Sequence, residues 1–336
     1  MTLPLSRLGF GAGGIGNLYR AVSDADAEAV VTAAWDAGIR YFDTAPHYGF
    51  GHSEKRLGAA LAKLDPGQSA IISTKIGRRL DPVAAGTDLT QPRQAFVSPE
   101  PYESVFDYSY DAVMRSYESS LKRLQRSRID ILYAHDIGSF AHGERHAGLF
   151  RTFLDGGYRA MRELRDGGAV SAIGLGVNEV AVCEEMLAHR DLDIILLAGR
   201  YSLLDQSPLA GLFPLCEARG VRLVIGGAYN SGILATGVRS GRVANFDYGP
   251  PPAEIVERVG RIEDLCARFG VSLRAAALQF PLAHPVVDSV IPGMARPSQV
   301  ADALAMVEEA IPQTFWAAMV AEGLLPAEAP LPAAQS

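Results

Sequence analysis

The chain has 336 residues with 31 basic against 38 acidic side chains, a formal net charge of −7. Hydrophobic residues make up 48% and charged ones 21%, which excludes a disordered chain, and no Lys/Arg run exceeds Arg78-Arg79, which argues against nucleic acid as a partner. Cys183, Cys216 and Cys266 lie far apart with no C-x-x-C pair, so neither a disulfide framework nor a thiolate zinc site is expected, and a cytoplasmic location is.

In chain order, short apolar or β-branched runs predict strands at 7–11, 40–44, 70–76, 129–135, 170–177, 193–199, 222–229 and 287–293. Several are continuously apolar, such as Ile194-Ile195-Leu196-Leu197-Ala198, as strands buried on both faces of a parallel sheet are. Between them run helical patterns. Ser23-x-x-Asp26 opens 24–37, which stops at Gly38, and a helix over 53–64 stops before Pro66. Further helices are predicted over 110–124, 158–165, 179–189, 209–218, 254–269 and 298–309, with an extra one over 272–283. Strict alternation of eight strands with eight helices predicts a (β/α)8 barrel, an α/β fold in one domain over 1–322. The irregular stretches 77–107 and 136–157 follow strands three and four, where substrate loops of such a barrel lie, and the Ala/Pro/Glu-rich 323–336 reads as a loose tail. The first residues show no basic segment followed by an apolar one, and no apolar run approaches membrane-spanning length, so no membrane partner is expected. The sequence sets no oligomeric state.

Two motifs invite over-reading. Gly11-Ala12-Gly13-Gly14-Ile15-Gly16 matches G-x-G-x-x-G, but a dinucleotide-binding turn requires a helix opening directly from the glycines, and the helix signal here begins at Ser23. A glycine-rich first βα loop is the better reading. His142-x-x-x-His146 places Glu144 one position away from its place in H-E-x-x-H, and Gly143 disfavours the helix, so a solvent-facing loop is expected and no metal.

The informative constellation is spread over three strands. Asp43 and Tyr48 flank the end of the second, Lys75 ends the third and His135 ends the fourth. All four lie at the C-terminal ends of neighbouring barrel strands, where barrel catalysis is housed. A buried Lys must pair, here with Asp43, and such a pair beneath Tyr48 is expected to lower the phenol's pKa and suit it to proton transfer beside a neutral His135.

At these residues the chain resembles the aldo-keto reductases, in Asp43-Thr44-Ala45-Pro46-His47-Tyr48-Gly49 followed by Ser53-Glu54 and Leu57-Gly58. Within the family it looks most like the aldose (L-fucose, L-galactose, D-threo-aldose) 1-dehydrogenases and the pyridoxal 4-dehydrogenases, through Phe106-Asp107-Tyr108-Ser109-Tyr110-Asp111, Gly174-Leu175-Gly176-Val177-Asn178-Glu179 and Leu197-Ala198-Gly199-Arg200-Tyr201. The resemblance implies a catalytic tetrad of Asp43, Tyr48, Lys75 and His135. It also implies a nicotinamide cofactor held by Asn178, Tyr229, Ser231, Gly232, Leu234, Gly293, Arg296, Gln299 and Asp302. Two departures stand out. The region where the family has Ser-Asn after strand five reads Gly176-Val177-Asn178, leaving Asn178 as the only amide, one position displaced, and the family's Gln on strand six reads Ala198. Where NADP-specific relatives present Lys and Arg, this chain has Gly293 and Gln299, so NAD is expected over NADP, with Arg296 the nearby cation that would still admit NADP. The implied activity is oxidation of a small molecule, the anomeric C1–OH of a free sugar, to a lactone. The alternatives are oxidation of the pyridoxal hemiacetal, a general aldehyde or ketone reductase, and a cofactor-binding regulatory subunit without turnover. The last would call for a degraded tetrad, and the tetrad is intact.

Overall fold

The computed structural model describes residues 3–239, 241 and 245–333. Residues 1, 2, 240, 242–244 and 334–336, parts of the expected barrel and tail, lie outside them. Ten strands occur among the described residues: β1 (Phe10–Gly11), β2 (Tyr41–Asp43), β3 (Ile71–Ile76), β4 (Arg78–Pro82), β5 (Tyr102–Phe106), β6 (Ile131–His135), β7 (Ala172–Val177), β8 (Ile194–Ala198), β9 (Arg222–Gly226) and β10 (Val287–Ile291). Eight of them form one parallel sheet in the order β1-β2-β3-β6-β7-β8-β9-β10. Its first and last strands meet: Leu8 and Gly11 bridge Val290 and Gly293, and the Gly9 N–H donates to the Val290 carbonyl at 2.9 Å. The sheet therefore closes into the expected (β/α)8 barrel.

Closure explains the unbroken apolar runs. Along each strand alternate side chains point in and out. Tyr41, Ile71, Tyr133, Ile194, Leu196 and Val224 fill the inside, while Phe42, Ile72, Leu132, Ile195 and Leu223 pack outward under the helices. The helices start where the capping signals place them. Ser23 Oγ accepts from the Asp26 N–H at 3.0 Å and opens Asp24–Asp36, and Ser109 caps Tyr110–Leu124. The extra helix is shorter than expected, Leu273–Gln279 behind its Ser272 cap, because Pro281 turns the chain into a 3-10 segment.

Three regions depart from expectation. The stretch 77–107 is not wholly irregular: β4 and β5 pair antiparallel, Arg78 opposite Phe106 and Pro82 opposite Tyr102. The stretch 136–157 is largely helical, with turns at Ser139–His142 and His146–Thr152 and a π-turn at Phe153–Gly157 that runs into Tyr158–Asp166. Its glycines mislead because Gly157 lies where a Cβ would meet the Tyr108 carbonyl oxygen at 2.5 Å, so it serves packing rather than termination. The tail expected to fray is packed as far as it is described. Leu324, Leu325 and Ala329 are buried, and Arg258 and Gln313 donate to the carbonyls of Leu324 and Pro332. No helix among the described residues is long and apolar enough to cross a membrane.

Candidate active site

The C-terminal ends of β2, β3 and β6 hold the four titratable groups around one cavity. The second-strand segment is fixed by its own polar residues. Thr44 Oγ1 lies 2.9 Å from Ser53 Oγ, and Ser53 Oγ donates to the Ala12 carbonyl at 2.8 Å. The wholly buried Glu54 accepts from Thr74 Oγ1 at 2.7 Å and from Arg123 Nε at 2.6 Å. Gly16 packs directly on the Tyr48 main chain, where a Cβ would come within 2.8 Å of the Tyr48 carbonyl carbon. The glycine run, whose Gly14–Gly16 form a single 3-10 turn, thus supports the Tyr48 loop, and the next α-helix starts only at Asp24.

Lys75 is 2% exposed, and its Nζ donates to Asp43 Oδ2 at 2.7 Å, Asp43 Oδ1 at 3.0 Å and the Thr44 carbonyl at 2.8 Å. Ser73 Oγ completes the Asp43 shell at 2.7 Å. The same Nζ sits 4.7 Å from the centre of the Tyr48 ring. Burial opposes the ammonium charge, but Asp43 and Tyr48 outweigh it and hold the Lys75 pKa above its ordinary value. The expected lowering of the Tyr48 pKa is not found. Burial pushes the phenol up to about 12, and the opposing pull of Lys75 offsets only part of that. His135 stands edge-on to Tyr48, ring centres 6.0 Å apart, and burial together with Arg78 and Lys75 holds it neutral, far below its ordinary pKa.

The cavity, about 630 Å³, is walled by residues that the sequence did not single out: His47, Arg78, Phe96, Asp136 and Tyr248. Their signal was obscured because they come from the unforeseen hairpin or from loops. It continues past Asn178, Ala198, Gly227 and Gly293 into a second cleft of about 510 Å³. Of the residues assigned to the cofactor, Asn178, Tyr229, Ser231, Gly232, Gly293, Gln299 and Asp302 line that cleft. Leu234 and Arg296 do not: Leu234 is fully buried in the turn Ile233–Thr236, and Arg296 is exposed ahead of the helix Pro297–Glu308. Arg20 and Arg274, both unforeseen, are cations that do line it, and Arg274 pairs with Asp302 at 3.2 Å. Gln299 Oε1 is engaged by the Ala295 N–H at 2.9 Å.

The cleft suits a flat, amide-bearing dinucleotide. Among the described residues, nothing lies within 4 Å of where a Cβ would stand on Gly232 or Gly293, and the buried Asn230 Oδ1 in its wall has no partner. Asn178 Nδ2 donates to Tyr248 Oη at 3.3 Å, above the junction of the two spaces. His142 and His146 take separate partners. His142, buried rather than solvent-facing, meets Tyr108 Oη at 3.0 Å, and His146 meets Glu185 Oε2 at 2.8 Å.

A closed (β/α)8 barrel with a Lys–Asp pair, a tyrosine and a neutral histidine at one mouth defines a class of enzyme suited to moving protons at an alcohol or carbonyl carbon. Residues 7–321 match the model of the Aldo/keto reductase family; the chain belongs to that family and is an oxidoreductase, for which a nicotinamide cofactor is usual. It is 44% identical to pyridoxal 4-dehydrogenase of Microbacterium luteolum, covering 96% of this chain and 95% of that one. It is 39% identical to D-threo-aldose 1-dehydrogenase of a Pseudomonas species, covering 96% of each. The holo form of an aldo-keto reductase from Bacillus halodurans matches the fold with TM-score 0.70 and 25% identity over 96% of this chain and 93% of that one.

Proposed function

We propose that the chain is an NAD-dependent dehydrogenase that oxidises the anomeric C1–OH of a free aldose to the lactone, in the cytoplasm. The observation that carries the reading is the position of Lys75 Nζ, bound to Asp43 on one side and 4.7 Å from the Tyr48 ring on the other. When bound, a nicotinamide dinucleotide supplies the hydride acceptor. The protein's part is the proton. Neutral His135 orients the substrate hydroxyl, and Tyr48 takes its proton as the C1–H bond breaks. Because burial holds the phenol at about 12, Lys75 is the group that stabilises the phenolate this requires. Asp43 keeps Lys75 charged and in place. Reduction reverses the roles, with Tyr48 as the acid.

Asn178 and Asn230 would hold the cofactor, Asn230 Oδ1 being an acceptor without a donor among the described residues. Tyr229, Ser231 and Gly232 would flank it. At the far end Asp302 favours ribose hydroxyls over a 2′-phosphate, and it already engages Arg274, the arginine beside it. This supports NAD over NADP. A second reading, pyridoxal oxidised as its hemiacetal, is favoured by the 44% identical relative and by the aromatic walls Phe96, Phe106 and Phe140. A spectrophotometric screen over L-fucose, L-galactose, D-arabinose and pyridoxal with each nucleotide tests both. We expect turnover of a sugar with kcat/KM higher for NAD. Turnover of pyridoxal alone selects the second reading, and a higher kcat/KM with NADP overturns the cofactor assignment.

A further inference from the structure

We infer that Asp136, clamped by Arg78, recognises a second hydroxyl on the carbon next to the one oxidised, so that the enzyme selects uncharged substrates bearing a hydroxyl beside the reacting centre. The inference rests on the dehydrogenase reading above and adds to it which part of the substrate is read and by which groups.

Asp136 directly follows His135 and is left-handed, with φ 51, a conformation that Asp adopts more readily than most residues other than glycine. Its N–H donates to the Gly176 carbonyl at 3.0 Å, and its carbonyl accepts from Tyr108 Oη at 3.1 Å. The reversal turns the carboxylate back over the cavity. There Oδ2 lies 3.5 Å from His135 Nε2 and accepts from Arg78 Nη2 at 2.5 Å. Arg78 opens β4, with its guanidinium carbon 4.4 Å from the centre of the Phe106 ring on β5. Its Nη1 lies 3.2 Å from His47 Nε2. An arginine can only donate, so His47 accepts there, and its remaining proton faces Ser104 Oγ, 3.1 Å from Nδ1.

Two consequences follow. First, the charges in the cavity cancel in pairs, Asp43 with Lys75 and Asp136 with Arg78, so the pocket offers no uncompensated cation to a carboxylate or phosphate. Hydroxyls are the groups it can bind. Secondly, Asp136 Oδ2 lies 3.5 Å from His135 Nε2, so a substrate oxygen held at Nε2 has its vicinal neighbour beside the carboxylate. A hydroxyl placed there donates to Asp136 and accepts from Arg78.

The test compares Asp136→Asn with wild type on two pairs of substrates: an accepted aldose and its 2-deoxy form with NAD, and 2-hydroxypropanal and propanal with NADH. Asparagine tolerates the left-handed backbone, so the variant is expected to fold, and its thermal midpoint checks that. Wild type should prefer the hydroxylated member of each pair by about 10- to 100-fold, and Asp136→Asn should lose about that factor on it, chiefly in KM. On the deoxy member the loss should stay within about threefold, so that the preference collapses. Arg78→Lys, which keeps the charge but not the planar fork, should lose part of the preference. Equal losses on both members of a pair, or a preference that survives Asp136→Asn, overturn the inference and leave the dehydrogenase reading standing. If wild type turns over neither pair, the dehydrogenase reading itself fails and takes the inference with it.

Discussion

The barrel buries two ion pairs of nearly the same chemistry at its two ends, and they serve opposite purposes. At the end where the strands begin, Asp65 follows the helix His52–Leu64 and meets Arg126, which follows Tyr110–Leu124; both side chains are 3% exposed. Asp65 accepts from the N–H groups of Ser69 and Ala70 at 2.8 and 2.9 Å, from Ser69 Oγ at 2.8 Å and from Arg126 at 2.9 Å. Burial alone would raise its pKa, but these donors lower it. At the end where the strands finish, Asp43 has Lys75 and Ser73, and burial prevails, raising its pKa despite the neighbouring cation. The first pair is consumed by the backbone it ties down. The second faces a cavity and has a cation in reach of a third group, Tyr48. In a barrel, one end stores stability and the other reactivity.

Breaking each pair should separate these roles. Lys75→Met is expected to lower kcat/KM by about 10²- to 10⁴-fold, since Tyr48 then lacks the charge that stabilises its phenolate. Asp43, its pKa already raised, takes up a proton, so calorimetry should show the fold retained; activity within tenfold of wild type would put the two pairs on the same footing. Asp65→Asn is expected to act the other way. It leaves Arg126 buried without its partner and should destabilise by about 3–5 kcal/mol while kcat at low temperature stays near wild type. The pH dependence has a definite sign. A carboxyl with a depressed folded pKa contributes stability above its unfolded value, about 4, and loses it as pH falls through the folded one. The difference in melting temperature between wild type and Asp65→Asn should therefore be full at pH 7 and narrow below about pH 4. A constant difference would show that Asp65 acts through packing alone.

How much of this was legible in the sequence follows from the physics of each region. The barrel strands are buried on both faces and the helices carry capping serines, so local pattern and global fold agree. The β4–β5 hairpin begins Arg78-Arg79-Leu80-Asp81, a charged run whose strand character comes only from its pairing. The tail's alanines and prolines resemble a frayed end, yet Leu324 and Leu325 supply apolar anchors that composition averages away. The four tetrad positions could be found because each lies at, or just past, the C-terminal end of a barrel strand. Arg78, His47 and Asp136 could not, because their convergence depends on the hairpin and on one left-handed residue. The direction of the Tyr48 shift is hidden for a related reason: a charge can be read from the sequence, whereas the desolvation that outweighs it requires the folded cavity.

The pH dependence of sugar oxidation in wild type and Tyr48→Phe tests the central claim most directly. With the phenol at about 12, the fraction able to accept a proton grows with pH, so wild-type kcat/KM should climb from neutral into alkaline solution without a plateau below pH 10. Tyr48→Phe should lie about 10²- to 10⁴-fold lower and lack that climb. A variant that stays within tenfold of wild type and keeps the same pH profile would show that Tyr48 is not the group that takes the proton.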